Sequence, residues 1–170
     1  MTVKIIDQVQ NTDAWLAWRL GRIGGSDASI ILYESPYKSP YTLWQEKIGR
    51  RKPEQTEDED RTPFGKSAKK HGKDTEAEAR DAFAEETGLF LPPACLENDA
   101  VPDLPMSASL DGYDATEDAA LEIKCPKTLY DFLEVREGRI PDSYYPQVMH
   151  NWYVAQTKWF YFYEIGRAHV

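Results

Sequence analysis

The apolar pattern of this chain changes period at Gly88, and that change constrains the fold more than any other feature of the sequence. From Thr62-Pro63 to Gly88 the apolar positions Phe64, Ala68, Ala79, Ala82 and Phe83 follow helical spacing, with Gly65 and Gly72 as weak points. Beyond Gly88, Leu89 to Leu96, Met106 to Tyr113 and Ala119 to Cys125 alternate like short strands. Asn98-Asp99 and Ala115 to Asp118 supply turn material between them. Helical patterns return over Thr128 to Glu137 and Ser143 to Ala155, and the aromatic run Lys158 to Tyr163 reads as a strand. Before the long helix, three short ones are expected. Asn11 or Thr12 caps the first (Trp15, Leu16, Leu20), which Gly21 ends. Ser26 caps the second, with Gly24 and Gly25 turning the chain into it. Ser39-Pro40 opens the third (Tyr41, Leu43, Trp44, Ile48), and Gly49 closes it. The stretch Arg50 to Asp60 has no apolar residue and reads as a solvated loop.

A chain of 170 residues with this order of elements suits one α/β domain, and it shows no internal repeat or linker. No run approaches the roughly 18 to 20 apolar residues of a membrane span, and the first ten residues lack the pattern of a secretory signal. A cytosolic protein with no membrane partner is expected. Cys95 and Cys125 have no zinc-type spacing and read as thiols. The net charge of −9 argues at first against nucleic acid, but its distribution weakens that objection. Residues 1 to 80 carry 14 basic and 13 acidic side chains, whereas residues 81 to 170 carry 6 and 16. The anionic half is where carboxylates could gather a hard cation, although most of these acids read as a solvated face.

The chemistry concentrates in Ser109-Leu110-Asp111-Gly112 and Leu121-Glu122-Ile123-Lys124. On a strand, Glu122 and Lys124 share one face while Leu121, Ile123 and Cys125 point into the core. A hairpin can set Asp111 beside them. Two carboxylates and the Ile123 carbonyl make an all-oxygen site suited to Mg²⁺, with Mn²⁺ as a substitute. Glu-x-Lys also arises often from strand alternation alone, where it is a surface ion pair.

Five blocks in this order resemble the lambda exonuclease or YqaJ-like viral recombinase nucleases of the PD-(D/E)xK superfamily. They are Asp13-Ala14-Trp15 with Arg19-Leu20-Gly21, Ile23 and Ser26; Gly72-Lys73 with Glu76, Ala79-Arg80 and Phe83; Ser109 with Asp111-Gly112; Leu121-Glu122 with Lys124-Cys125-Pro126; and Tyr144 with Gln147-Val148. Leu110 departs from the proline usual before the Asp, a residue that shapes the turn and is not a ligand. The resemblance implies a restriction-endonuclease-like PD-(D/E)xK core, a central mixed β-sheet flanked by helices and preceded by N-terminal helices. It also implies that Asp111 and Glu122 ligate the metal, that Lys124 serves the attacking water and that Glu76 completes the acidic site. Glu76 read alone is a helix-surface carboxylate. Gln147, one turn after Tyr144, is placed to hydrogen-bond the metal-bound water or a phosphate, or else faces solvent.

In the family, the residues matching Arg19 and Ser26 hold the terminal 5′-phosphate, and Ser109 is expected as a third contact. A helix N-terminus at Ser26 favours an anion, and Arg19 can grip phosphate bidentately. Trp15, Trp18, Trp44 and the last strand read as core or interface rather than as base-stacking platforms. Residues 165–170 look like the translation of a sequencing-adapter end and are set aside, His169 included. Residues 1–164 then form one YqaJ-like exonuclease domain that is expected to continue in the natural chain. The activity implied is Mg²⁺-dependent 5′-to-3′ hydrolysis of linear duplex DNA ends, leaving 3′ single strands for phage-type recombination. Its setting would be the cytoplasm of a bacterial host, with a single-strand annealing protein as partner and a ring-shaped homotrimer as assembly. Three alternatives stand beside it: another nuclease of the superfamily (an endonuclease or a Cas4-like end-processing enzyme), a silent DNA-binding module and an acidic Ca²⁺-binding protein.

Overall fold

The computed structural model describes residues 3–52, 63–124 and 129–164, and their side chains except those of 63–74 and 129–132. Cys125, most of the loop expected over Arg50 to Asp60 and the tail 165–170 lie outside the described residues. In chain order the elements are β1 (Val3–Ile6), α1 (Asp13–Leu20), α2 (Gly25–Ile31), α3 (Pro40–Lys47), α4 (Pro63–Thr87), β2 (Ala94–Asn98), β3 (Met106–Leu110), β4 (Gly112–Asp114), β5 (Ala119–Lys124), α5 (Leu129–Arg136), α6 (Tyr145–Ala155) and β6 (Trp159–Glu164).

Helix α4 ends where the period changes: Gly88 takes a left-handed φ of 75° and donates to the Ala84 carbonyl at 2.9 Å. The strand expected from Leu89 starts five residues later, because Pro92 and Pro93 have no amide hydrogen to give a ladder. Asn98, expected in a turn, closes β2 instead and pairs with Val3 of β1, a strand that the sequence reading did not include. The expected strand Met106 to Tyr113 is interrupted at Asp111. That single residue divides the ladder into two three-stranded sheets, β1-β2-β3 and β4-β5-β6. The first is antiparallel; in the second, β5 runs antiparallel to β4 and parallel to β6.

Strand β5 is buried on both faces, so the expectation of a single core face needs correction. Ala119, Leu121 and Ile123 pack with Ala79 and Phe83 of α4 and with Leu91. Ala120 belongs to the other cluster, with Leu96, Met106, Ala108, Leu110 and Tyr113 of the strands and Val154 and Ala155 of α6. Helices therefore cover opposite faces of β5, and its even-numbered residues look toward α6. Among the described residues no helix is long and apolar enough to cross a membrane.

The corner between α1 and α2 is clipped to the sheet by Ile23, whose amide donates to the Pro105 carbonyl and whose carbonyl accepts from the Ser107 amide, both at 2.9 Å. Gly112, just after the break, lies against Leu91. A methyl group built there would stand 2.8 Å from Leu91 Cβ, 2.9 Å from the Leu91 carbonyl oxygen and 3.0 Å from Leu121 Cβ. Since a backbone oxygen cannot swing aside, Gly112→Ala should lower unfolding stability by about 1–3 kcal/mol. Denaturant unfolding measures this, and an unchanged midpoint would show that the strands can separate there freely.

Candidate active site

The β4–β5 register pairs Gly112 with Leu121, which brings Asp111 opposite Glu122. Asp111 Oδ2 accepts the Ile123 amide at 2.8 Å. The contact recorded at Ile123 is thus made by its N–H, on the carboxylate with which its carbonyl is expected to share a cation. Glu122 is 2% exposed, in a strand whose other residues are Ala, Leu, Ile and Lys124, and such a charge needs partners. It has three. Lys124 Nζ donates to Oε1, Gln147 Nε2 donates to the same oxygen at 2.6 Å, and Asn151 Nδ2 donates to Oε2 at 3.0 Å. Gln147 and Asn151 are four apart on α6 and so share its face. Gln147 therefore reaches the site as expected, with Glu122 as its partner in this structure rather than solvent.

Burial and the charge of Glu122 push the Asp111 carboxyl up from 3.8 to about 7, against the pull of Lys124 and of the Ile123 amide. Burial disfavours the Lys124 ammonium too, but Glu122 and Asp111 together outweigh it and hold its pKa above the usual value. Lys124 Nζ also lies 5.6 Å from the centre of the Tyr144 ring. An enclosed Asp111 carboxyl whose ionisation the neighbouring Glu122 charge disfavours fits a hard divalent cation, which would offset that repulsion. Among the described residues no group of three His, Cys, Asp or Glu side chains stands ready to hold a metal. Glu76 Oε1 accepts Arg80 Nη2 at 2.7 Å, and the Glu76 charge is among the causes that raise the Asp111 pKa. Arg80 Nε donates to the Asp111 carbonyl oxygen at 2.7 Å, so Glu76 joins the site through this arginine.

The second cluster lies on the α1–α2 corner. Arg19 Nη2 donates to Ser26 Oγ at 2.6 Å, and the Arg19 guanidinium lies 4.4 Å above the Trp15 ring. Trp15 Nε1 in turn donates to Ser109 Oγ at 2.9 Å. The three residues expected at a phosphate are thus brought together with Trp15 as the brace between them. Burial is the main cause that lowers the Arg19 pKa, with Asp27 opposing it. Ser26 is not the cap expected: α2 begins at Gly25, and Asp27 Oδ2 accepts the Gly24 amide at 2.9 Å. A carboxylate three residues in has taken the capping role, which leaves the Ser26 hydroxyl exposed and available to Arg19. Lys47 of α3 fixes the corner from behind, 2.7 Å from Asp27 and 3.0 Å from the Arg19 carbonyl oxygen. Trp15 is 8% exposed, as a core residue should be, whereas Trp44 is 47% exposed and does not join the core.

Arg80, Asn151 and Asp27 carry contacts that sequence reasoning did not assign to them. The signals were spacing: Arg80 and Asn151 each sit one turn after an expected site residue, and Asp27 sits three after Gly24.

The fold is a mixed α/β domain of two three-stranded sheets with helices on opposite faces of β5, and it brings Asp111, Glu122 and Lys124 together. Residues 14–158 match the model of the YqaJ-like viral recombinase domain, and the chain belongs to that family. It is 32% identical over 142 residues to the uncharacterized protein YqaJ of Bacillus subtilis strain 168, covering 81% of this chain and 40% of that one. The chain thus spans about two fifths of this relative's length. Its fold is similar to an alkaline exonuclease, LHK-Exo, from Laribacter hongkongensis, with a TM-score of 0.70 and 20% identity over 92% of this chain and 75% of that one. It is similar also to LHK-Exo in complex with dAMP, with a TM-score of 0.66 and 21% identity over 90% of this chain and 73% of that one.

Between pH 3.8 and about 7 the folded chain holds a proton on Asp111 that the unfolded chain has lost. The native state binds more protons there, so this group makes stability fall as pH rises through that window. Asp111→Asn removes the carboxylate. In chelator, the variant should be more stable than the parent near pH 8 and should lose that advantage near pH 4, as read by denaturant titration. A less stable variant at pH 8 would contradict the raised pKa.

Proposed function

We propose that this chain is the catalytic domain of a metal-dependent deoxyribonuclease that works 5′-to-3′ from linear duplex ends and leaves 3′ single strands for phage-type recombination. The observation that carries this reading is the meeting of Asp111, Glu122 and Lys124 across the β4–β5 ladder. The likeness to an alkaline exonuclease and to its complex with dAMP supports a DNA substrate. Asp111 and Glu122, with the Ile123 carbonyl, would hold Mg²⁺ or Mn²⁺, which supplies charge neutralisation at the phosphoryl oxygens and a more acidic water. The other steps belong to side chains. Lys124, kept protonated by its two carboxylates, orients the attacking water and offsets negative charge as it develops on the phosphate. Gln147 holds Glu122 in place and has a second amide hydrogen for water or phosphate. Glu76 contributes a further carboxylate once Arg80 releases it. Arg19, with Ser26 and Ser109, takes the terminal 5′-phosphate, which sets the strand end. A homotrimer around DNA, an annealing-protein partner and a bacterial cytoplasm belong to the same reading.

Incubation with linear and circular duplex tests the reading directly. Linear DNA should be degraded only with the divalent cation present, and circles should survive; cut circles would mean an endonuclease. Linear duplex with 5′-phosphate should be cut faster than duplex with 5′-hydroxyl. Because a charge-assisted contact contributes roughly 1.5 to 3 kcal/mol, Arg19→Ala should shrink that ratio by about one to two decades. Equal single-turnover rates on the two ends in the parent would remove the end-pocket assignment.

Lys124→Ala tests the chemistry apart from binding. Turnover should fall by roughly 10²- to 10⁴-fold while DNA binding persists. Loss of cation uptake in that variant, measured calorimetrically, would make Lys124 part of the binding site rather than of the reaction.

A further inference from the structure

A buried side chain of α6 lies between the two clusters. Asn151 is 1% exposed, and its amide has two ends with different surroundings. The Nδ2 end donates to Glu122 Oε2 at 3.0 Å, and the carboxylate fixes that orientation because an oxygen turned toward it would be repelled. The Oδ1 end points away, toward the start of α2, and accepts no hydrogen bond among the described residues. It lies against Gly25. A methyl group built on Gly25 would stand 2.3 Å from Asn151 Oδ1, 2.9 Å from Cγ and 3.1 Å from Nδ2. Residue 25 therefore has no side chain because the Asn151 amide occupies that space. Gly25 is also the residue between Gly24, which caps α2, and Ser26, which accepts from Arg19.

We propose that Asn151 is a positioning residue that fixes the Glu122 carboxylate against the end-binding corner, with Gly25 as the cradle that holds its amide. The inference rests on the nuclease reading and adds to it a rigid link between the place where a strand end is held and the place where it is cut. The contact runs from Ser26 through the backbone to Gly25, then across van der Waals contact to Asn151, then by hydrogen bond to Glu122. Of the three donors on Glu122, Lys124 comes from the same strand and Gln147 shares Oε1 with it. Among the described residues only Asn151 donates to Oε2, so it sets the rotation of the carboxylate plane. An uncompensated buried oxygen is costly, and Asn151 keeps one. A side chain with no polar atom aimed at Gly25 would pack there without that cost, so the amide is explained by its other end.

The test is a cycle of Gly25→Ala, Asn151→Ala and the double variant in the full chain. Two measurements are taken: Mg²⁺ binding by calorimetry without DNA, and thermal unfolding in chelator. Partners that orient a metal ligand typically govern about 10- to 100-fold in metal affinity. Asn151→Ala should weaken Mg²⁺ binding by about that factor, and Gly25→Ala should weaken it too by pushing the amide off Glu122. The double variant should be no weaker than Asn151→Ala alone, because the added methyl then fills space the amide has left. Thermal unfolding should show the same rescue. Asn151→Ser, which leaves a smaller cavity and no donor within reach of Glu122, should repeat the affinity loss and serves if Asn151→Ala does not fold. Parent-like Mg²⁺ affinity in the Asn151 variants, or losses that multiply in the double variant, would overturn the link. A parent chain that binds no Mg²⁺ and cuts no DNA would instead overturn the nuclease reading, and the unfolding cycle would still report whether Gly25 and Asn151 act as one unit.

Discussion

Burial of the Glu122 carboxylate on the central strand is the constraint on which the rest of the site depends. Removing a charge from water is costly unless fixed donors replace the lost hydration. Here the donors come from two elements, Lys124 on β5 itself and Gln147 with Asn151 on α6. The position of α6 is thereby tied to the charge it serves. Val148, Val154 and Ala155 bury the same helix against the sheet, so apolar packing and carboxylate satisfaction favour one docking.

The second constraint is the break at Asp111. A continuous strand would have placed that residue in a ladder with its side chain alternating up or down like its neighbours. The interruption frees its carboxylate to accept the Ile123 amide and frees its carbonyl to accept Arg80. Gly112 permits the close approach to Leu91 that the change of direction demands. The same break brings two acids together, and the Lys124 ammonium offsets their repulsion.

The corner that gathers Arg19, Ser26 and Ser109 is held by backbone pairing of Ile23 with β3 and by Lys47 from α3. Its stiffness also depends on Trp15, which is core on one side and the support of the Arg19 guanidinium on the other. Trp15 is therefore a core residue, as its sequence context suggests, that also supports the Arg19 guanidinium and donates to Ser109.

The sequence by itself determined the local structure wherever a local force dominates. The change of period at Gly88, Pro40 at the start of α3 and the alternation of Ala119 to Lys124 each act within a few residues, and each is found where the pattern put it. That Glu122 and Lys124 share a face was legible for the same reason, since residues two apart on a strand point the same way, whereas Asp111 stands at the break and only the tertiary structure sets its direction. The pairing of β1 with β2 was not legible, because four half-exposed residues gain their order only from the partner strand. Nor was the role of Asn151 or Arg80, whose neighbours in space lie 29 and 31 residues away. Tertiary structure also decided that Gly24 and not Ser26 stands at the N-cap of α2, with Asp27 accepting its amide, and that Glu76 faces Arg80. In both cases several polar groups compete for one hydrogen-bonding position, and only the packed geometry determines which of them reaches it.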